Sequence, residues 1–202
     1  MIKNVIFDMG NVLIYFHKDI FLDQAGVTGE DRKLLERVVF ESLEWARLDR
    51  GSLKEAEAEK LMCARLPERL HGAVHYFIWA WDKPLRPVRG MATLARELKE
   101  KGYRLYLLSN AASRQHEYWH DIPGSEYFEG SLISADHMLT KPDKAFYQLL
   151  LDTFSLKADE CVFIDDSIVN VEGAYRCGLH AIAFHDDVEE LRQKLREEGV
   201  PV

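Results

Sequence analysis

Two acid-ended apolar runs carry the chemistry of this chain. Asp8 closes Ile2-Lys3-Asn4-Val5-Ile6-Phe7 and is followed at once by Met9-Gly10-Asn11-Val12; Asp165-Asp166-Ser167 closes Cys161-Val162-Phe163-Ile164. Runs of this kind read as buried strands, and ligands of open α/β sheets gather at the C-terminal edge of the strands. Three carboxylates at one edge are hard oxygen donors suited to Mg²⁺. Two further segments belong with them. Leu107-Leu108-Ser109-Asn110 ends another run on a hydroxyl and an amide, and Thr140-Lys141-Pro142-Asp143 sets an ammonium just before a helix start. A carboxylate nucleophile, phosphate-binding donors, an ammonium and two more acids suit phosphoryl transfer, where positioning and charge neutralisation do most of the work. In that scheme Asp8 attacks phosphorus and Mg²⁺ bridges Asp8, Asp166 and a phosphate oxygen. Ser109 and its neighbouring amide groups, Asn110 included, donate to the phosphoryl oxygens, and Lys141 neutralises their charge. Each residue alone has a plainer reading, as a capping acid, a turn or a surface lysine. Adjacent acids after a buried strand repel one another without a cation, which favours the metal.

The elements that must position these groups follow a strand–helix rhythm. Strands are expected at Tyr103–Leu108, Ser131–Ser134, Cys161–Ile164 and His180–Phe184, besides the one ending at Asp8. Helices are expected at Val88–Lys101, Arg114–His120, Asp143–Phe154, Val169–Cys177 and Val188–Glu198. Such alternation implies a parallel sheet with right-handed crossovers. Between about Phe16 and Pro84 the rhythm breaks into helical patterns alone: Asp31–Leu48, Ser52–Leu66 and Glu68–Trp81, with Ser52 and Glu55 spaced as a capping box. The expected architecture is therefore an α/β core of residues 1–15 and 85–202 with a helical cap of residues 16–84. An insertion that leaves and re-enters beside Asp8 must sit over the site, where it can exclude water and touch substrate. Trp45 and Arg47 are candidates for such contact. Tyr76, Phe77, Trp79 and Trp81 are spaced to fill a cap core, with a sugar-stacking platform as the alternative, while Glu55, Glu57 and Glu59 read as a solvated face.

Composition narrows the partners. A net charge of −8 over 202 residues argues against nucleic acid or an anionic membrane, but leaves a phosphorylated metabolite open, because a metal and a lysine can reverse the local sign. Three unpatterned cysteines, Cys63, Cys161 and Cys177, read as buried thiols of a reducing cytosol, with no signal pattern at the N-terminus. The apolar stretch from Val74 to Trp81 is too short to span a membrane. The oligomeric state stays open.

The four segments, in this order and spacing, resemble the haloacid dehalogenase superfamily. FDMGNVL, LSN, TKP and FIDDSIVNVEGA, with the stretch Asp49-Arg50-Gly51, are similar to the bacterial alpha-D-glucose-1-phosphate phosphatase group within it. The resemblance covers nearly the whole chain and implies a three-layer Rossmann-like sheet with strand order 5-4-1-2-3. It implies Asp8 as nucleophile, with Asp8, the Gly10 carbonyl and Asp166 on Mg²⁺ and Asp165 supporting the metal site. Ser109 and Lys141 map to the phosphate-binding hydroxyl and lysine. One departure stands out: most phosphatases of the superfamily carry a general acid and base two residues after the nucleophile, and here that residue is Gly10. Losing such a group costs about 10²–10⁴ in rate unless something compensates. A leaving group of low pKa, as at an anomeric oxygen, is one compensation, and His17 is the nearest titratable candidate for another. The expected activity is Mg²⁺-dependent hydrolysis of a small sugar phosphate. The alternatives are a dehalogenase and a non-catalytic phospholigand-binding member.

Overall fold

The computed structural model describes residues 1–202. Five strands form its centre: β1 (Asn4–Phe7), β2 (Arg104–Ser109), β3 (Phe128–Ile133), β4 (Cys161–Asp165) and β5 (His180–Ala183). They pair in parallel in the order β3-β2-β1-β4-β5, as expected. Successive side chains of a strand point to opposite faces. Val5, Phe7, Leu105, Leu107, Val162 and Ile164 enter one buried cluster, and Ile6, Tyr106, Leu108 and Phe163 enter the other. Helices cover both faces, which is why these strands read as continuous apolar runs rather than alternating ones.

The register sets the site. Phe7 pairs with Leu107 on one side and Ile164 on the other. Asp8 and Asp165 therefore leave the sheet side by side, and the Asp8 N–H donates to the Ile164 carbonyl at 2.9 Å.

Between β1 and β2 the chain forms α1 (Lys18–Gln24), α2 (Gly29–Leu35), a π-turn over Glu36–Phe40, α3 (Leu43–Arg50), α4 (Glu55–Cys63), α5 (His71–Trp79) and α6 (Met91–Glu100). The outgoing and returning chains run together as a neck. Tyr15 N–H donates to the Arg86 carbonyl at 2.8 Å, and Val88 N–H to that of Leu13 at 2.9 Å. Short helices α7 (Gln115–Tyr118) and α8 (Ser134–His137) follow β2 and β3; α9 (Lys144–Thr153), α10 (Ile168–Arg176) and α11 (Val188–Glu197) complete the chain. No helix is long and apolar enough to cross a membrane.

The helical stretch differs from expectation in three places. The single helix foreseen over Asp31–Leu48 is broken at Ser42, whose hydroxyl accepts from Trp45 N–H and donates to the Val39 carbonyl. A serine offering the backbone such partners caps a new helix better than it extends an old one. The capping box does not form: α4 starts at Glu55 behind Lys54, and the Ser52 hydroxyl turns back to the Arg47 carbonyl. α1 was not foreseen as an element.

One contact joins the end of α3 to the core. The Ser134 hydroxyl donates to the Asp49 carbonyl, and Gly51, at φ +80°, lies so close to Ala135 that a Cβ would come within 2.0 Å of its carbonyl oxygen. Only glycine fits that approach and that backbone angle.

Candidate active site

The strand ends gather a compact charged cluster. Asp8, Asp165 and Asp166 each offer a carboxylate oxygen, all within 4.8 Å of one another. Lys141 Nζ lies 2.8 Å from Asp8 Oδ1 and 2.6 Å from Asp165 Oδ2. Only the second contact has hydrogen-bond alignment, which leaves the buried Asp8 Oδ1 with an ion-pair neighbour but no hydrogen bond. Asp165 is fully enclosed. Besides Lys141 it accepts from Asn170 Nδ2 on both oxygens at 3.1 Å and from Ser167 N–H at 2.8 Å. Its lone pairs are spent on holding Lys141 and the start of α10. Asp166 is more open and accepts from Asn11 Nδ2 at 3.0 Å, while Asn11 Oδ1 accepts from Phe16 N–H at 2.9 Å. Asn11 sits at φ 55°, a left-handed conformation that asparagine tolerates better than most residues.

Asn110 holds Lys141 from the other side. Its Nδ2 donates to the Lys141 carbonyl at 3.1 Å, and its Oδ1 accepts from the Lys141 N–H at 2.8 Å. The side chain foreseen as a phosphate donor is thus occupied in fixing the lysine backbone. Ser109, ending β2, is buried and borders the cavity beside Asp8. Within α10, Gly173 keeps the Lys141-Pro142 turn close, since a Cβ there would approach Pro142 Cβ to 2.8 Å.

The electrostatics of the cluster match its crowding. Burial pulls the Lys141 ammonium down, but Asp8 and Asp165 outweigh it and hold the group above the ordinary lysine value. Burial and the charge of Asp8 push Asp165 up, against the pull of Lys141. Burial also raises Asp166, with the Asn11 hydrogen bond opposing and Asp8 adding. Two carboxylates raised by burial and by Asp8 beside them, with one Asp8 oxygen lacking a hydrogen bond, form a donor set that a hard divalent cation fits.

Above the cluster lies a cavity of about 220 Å³. Asp8, Gly10, Ser109 and Asp166 border one end, and Phe16, Trp45, Phe77, Trp81 and Tyr118 wall the other. Trp45 therefore faces the cavity, whereas Arg47 lines a shallower pocket outside it. Phe77 and Trp81 serve both the helical core and this wall. The exposed His17 is not among the lining residues and lies against Tyr15, so it is removed from the cavity that an acid–base role would need.

Four polar residues on the wall were not foreseen there. Glu55, read as solvated, is buried and accepts from the Ser113 hydroxyl at 2.9 Å. Arg114 is committed to the Ile78 carbonyl at 2.8 Å and to Asp82 at 3.1 Å. Gln115 is 1% exposed, and neither its Oε1 nor its Nε2 has a partner. Asp49 faces the cavity from the end of α3, and burial, with the charge of Asp8 adding, pushes its carboxyl up to about 7. The Asp49-Arg50-Gly51 stretch was a visible signal for the last of these. Nothing in the sequence marks Gln115.

Comparison with known proteins identifies the family. A family described as haloacid dehalogenase-like hydrolase matches residues 2–178. Drimenol cyclase drtB of Aspergillus calidoustus is 27% identical over 205 residues; the match takes in 100% of this chain but only 37% of that protein. Sesquiterpene phosphatase astK of Aspergillus oryzae is 27% identical over 201 residues, 95% of each chain. A HAD family enzyme from Bacteroides thetaiotaomicron, in complex with magnesium and inorganic phosphate, superposes with a TM-score of 0.72 at 22% identity, covering 95% of this chain and 99% of that one. The chain belongs to the haloacid dehalogenase-like hydrolases.

Proposed function

We propose that this hydrolase cleaves a small phosphate monoester by phosphoryl transfer to Asp8. The observation that carries the reading is the juxtaposition of the three carboxylates with a buried lysine at the floor of one cavity, which Asp8 and Asp166 border. Asp8, Asp166 and the Gly10 carbonyl would hold Mg²⁺, with Asp165 supporting them. Bound there, the cation offsets the charge of nucleophile and substrate and polarises a phosphoryl oxygen. The chain's own groups do the rest. Lys141, held by Asp165 and by Asn110, faces Asp8 and neutralises the incoming phosphoryl group; Ser109 donates to it. An Asp8 oxygen attacks phosphorus and the alcohol leaves; water then attacks the aspartyl phosphate, releasing inorganic phosphate and restoring Asp8. The aromatic wall keeps bulk water from the leaving side.

A compact sugar suits the far end of the cavity. Its apolar face would lie against the aromatic rings, and a hydroxyl would satisfy the unpartnered Gln115 amide, whose isolation costs about 1–3 kcal/mol. Five aromatic residues on that wall, and the likeness to a sesquiterpene phosphatase, favour a second reading in which the alcohol is a terpenoid.

The test is phosphate release from anomeric and primary sugar phosphates and from a terpenoid monophosphate, with Mg²⁺ and with EDTA, for wild type and Asp8→Asn. Metal-dependent release lost in the variant supports the phospho-Asp8 route, and the preferred ester selects between the two alcohols. Release that survives Asp8→Asn would sink the mechanism.

A further inference from the structure

An alkoxide is a poor leaving group, so breaking an alkyl phosphate ester calls for a proton delivered to the departing oxygen. Gly10 has no side chain to give one. Space is not the reason, since a Cβ at Gly10 would meet only Phe16 Cβ, at an ordinary 3.6 Å.

The acids around the cavity narrow the choice. Asp8 is the nucleophile, and Asp166 is assigned to the cation and bonded to Asn11. Glu55 is engaged by Ser113. Asp49 is left, and no hydrogen bond or ion pair occupies its carboxyl. It is also held firmly. The Ser134 hydroxyl fixes its carbonyl, and the approach of Gly51 to Ala135 locks the end of α3 against the core.

We propose that Asp49, on the helical segment, is the general acid and base of this site. The proposal rests on the phosphatase reading above. In the first step an Asp8 oxygen bonds to phosphorus, the P–O bond to the alcohol breaks, and the Asp49 carboxylic acid gives its proton to the departing oxygen. In the second, the Asp49 carboxylate takes a proton from the attacking water. The new P–O bond forms, the bond to Asp8 breaks, and inorganic phosphate leaves. The cycle returns both acids to their starting forms. The titratable and charged neighbours fit this task. Asp8 from the sheet edge favours a retained proton, Arg114 is already paired with Asp82, Lys141 with Asp8 and Asp165, and Tyr118 is neutral. Its carboxyl, pushed up to about 7, exchanges protons readily near neutrality.

The experiment compares kcat/KM for Asp49→Asn, Glu55→Gln and wild type on esters graded by leaving-group acidity, from p-nitrophenyl phosphate to an alkyl phosphate. Asp49→Asn should lose about 10²–10⁴-fold on the alkyl ester and little more than a few-fold on the p-nitrophenyl ester, whose phenolate needs no proton. Adding Gly10→Asp to Asp49→Asn should restore a share of the alkyl activity, which a folding defect would not allow. Equal losses on both esters, or the graded pattern in Glu55→Gln instead, would overturn the assignment while leaving the phosphatase reading intact. A wild type that releases phosphate from none of the esters would overturn both.

Discussion

The floor and the roof of the cavity are built by different means. The floor is a strand edge in which nearly every polar atom has a named partner: Lys141 is held by Asp165 and Asn110, Asp165 by Asn170 and Ser167, and Asp166 by Asn11. The roof is aromatic contact. Phe16 meets Trp81 edge-on at 4.7 Å and Trp45 at 5.9 Å, and Phe40 meets Phe77 at 5.0 Å. Hydrogen bonds fix direction, whereas ring packing fixes volume and tolerates re-packing. On the function proposed above, the floor is suited to a fixed chemical step and the roof, Asp49 apart, to a choice among alcohols.

Substitutions can break that division. The largest effect expected is from Asp8→Asn, which should lower kcat by at least about 10⁴-fold with little change in substrate binding, measured by phosphate release and by titration with a substrate analogue. Lys141→Met comes next. It strands Asp8 and Asp165 as uncompensated buried acids, and a cost of about 3–5 kcal/mol should appear in urea denaturation alongside lost activity. Gly51→Ala forces a methyl against the Ala135 backbone and should cost about 1–3 kcal/mol, with kcat falling because Asp49 is displaced. Trp45→Ala should act on KM and on the order of preferred alcohols, by about 10-fold, with kcat for p-nitrophenyl phosphate nearly unchanged. If it lowered kcat equally for every ester, the division between floor and roof would fail.

The smallest effect separates stability from catalysis at one residue. The Asp49 carboxyl sits near 7 in the folded chain against an ordinary 3.8. Between those values the folded chain keeps a proton that the unfolded chain has lost, so stability falls as pH rises from about 4 to 7. Asp49→Asn should then raise Tm at pH 8 in EDTA, by about 2–4 °C for each kcal/mol relieved, and change it little at pH 4.

The floor was largely legible in the sequence, and the roof was not. Apolar runs ending in Asp8 and Asp165, with glycine and proline marking helix ends, fix strand ends by local chemistry, so the gathering of Asp8, Ser109, Lys141 and Asp166 follows from pattern, whereas the strand order came from the family resemblance. Helical periodicity tells which face of α4 is apolar but not what stands opposite. Glu55 was misread because the Ser113 hydroxyl that buries it lies 58 residues away. Ser42 was passed over because a serine within a helical pattern looks tolerable until its hydroxyl is seen to cap. Asn110 was recognised as important, but its task, bracing the Lys141 backbone, depends on a turn 31 residues on.

The seat of Gly51 on Ala135 bears on how such proteins can be recombined. For anyone exchanging the roof, the neck around Leu13 and Val88 invites a cut there. A graft made only at the neck would carry the glycine without the backbone it was shaped against. The exchangeable piece is therefore discontinuous: the helical stretch must travel with the Ser134–His137 segment that receives Gly51, or the transplanted roof will rest ajar over an intact floor.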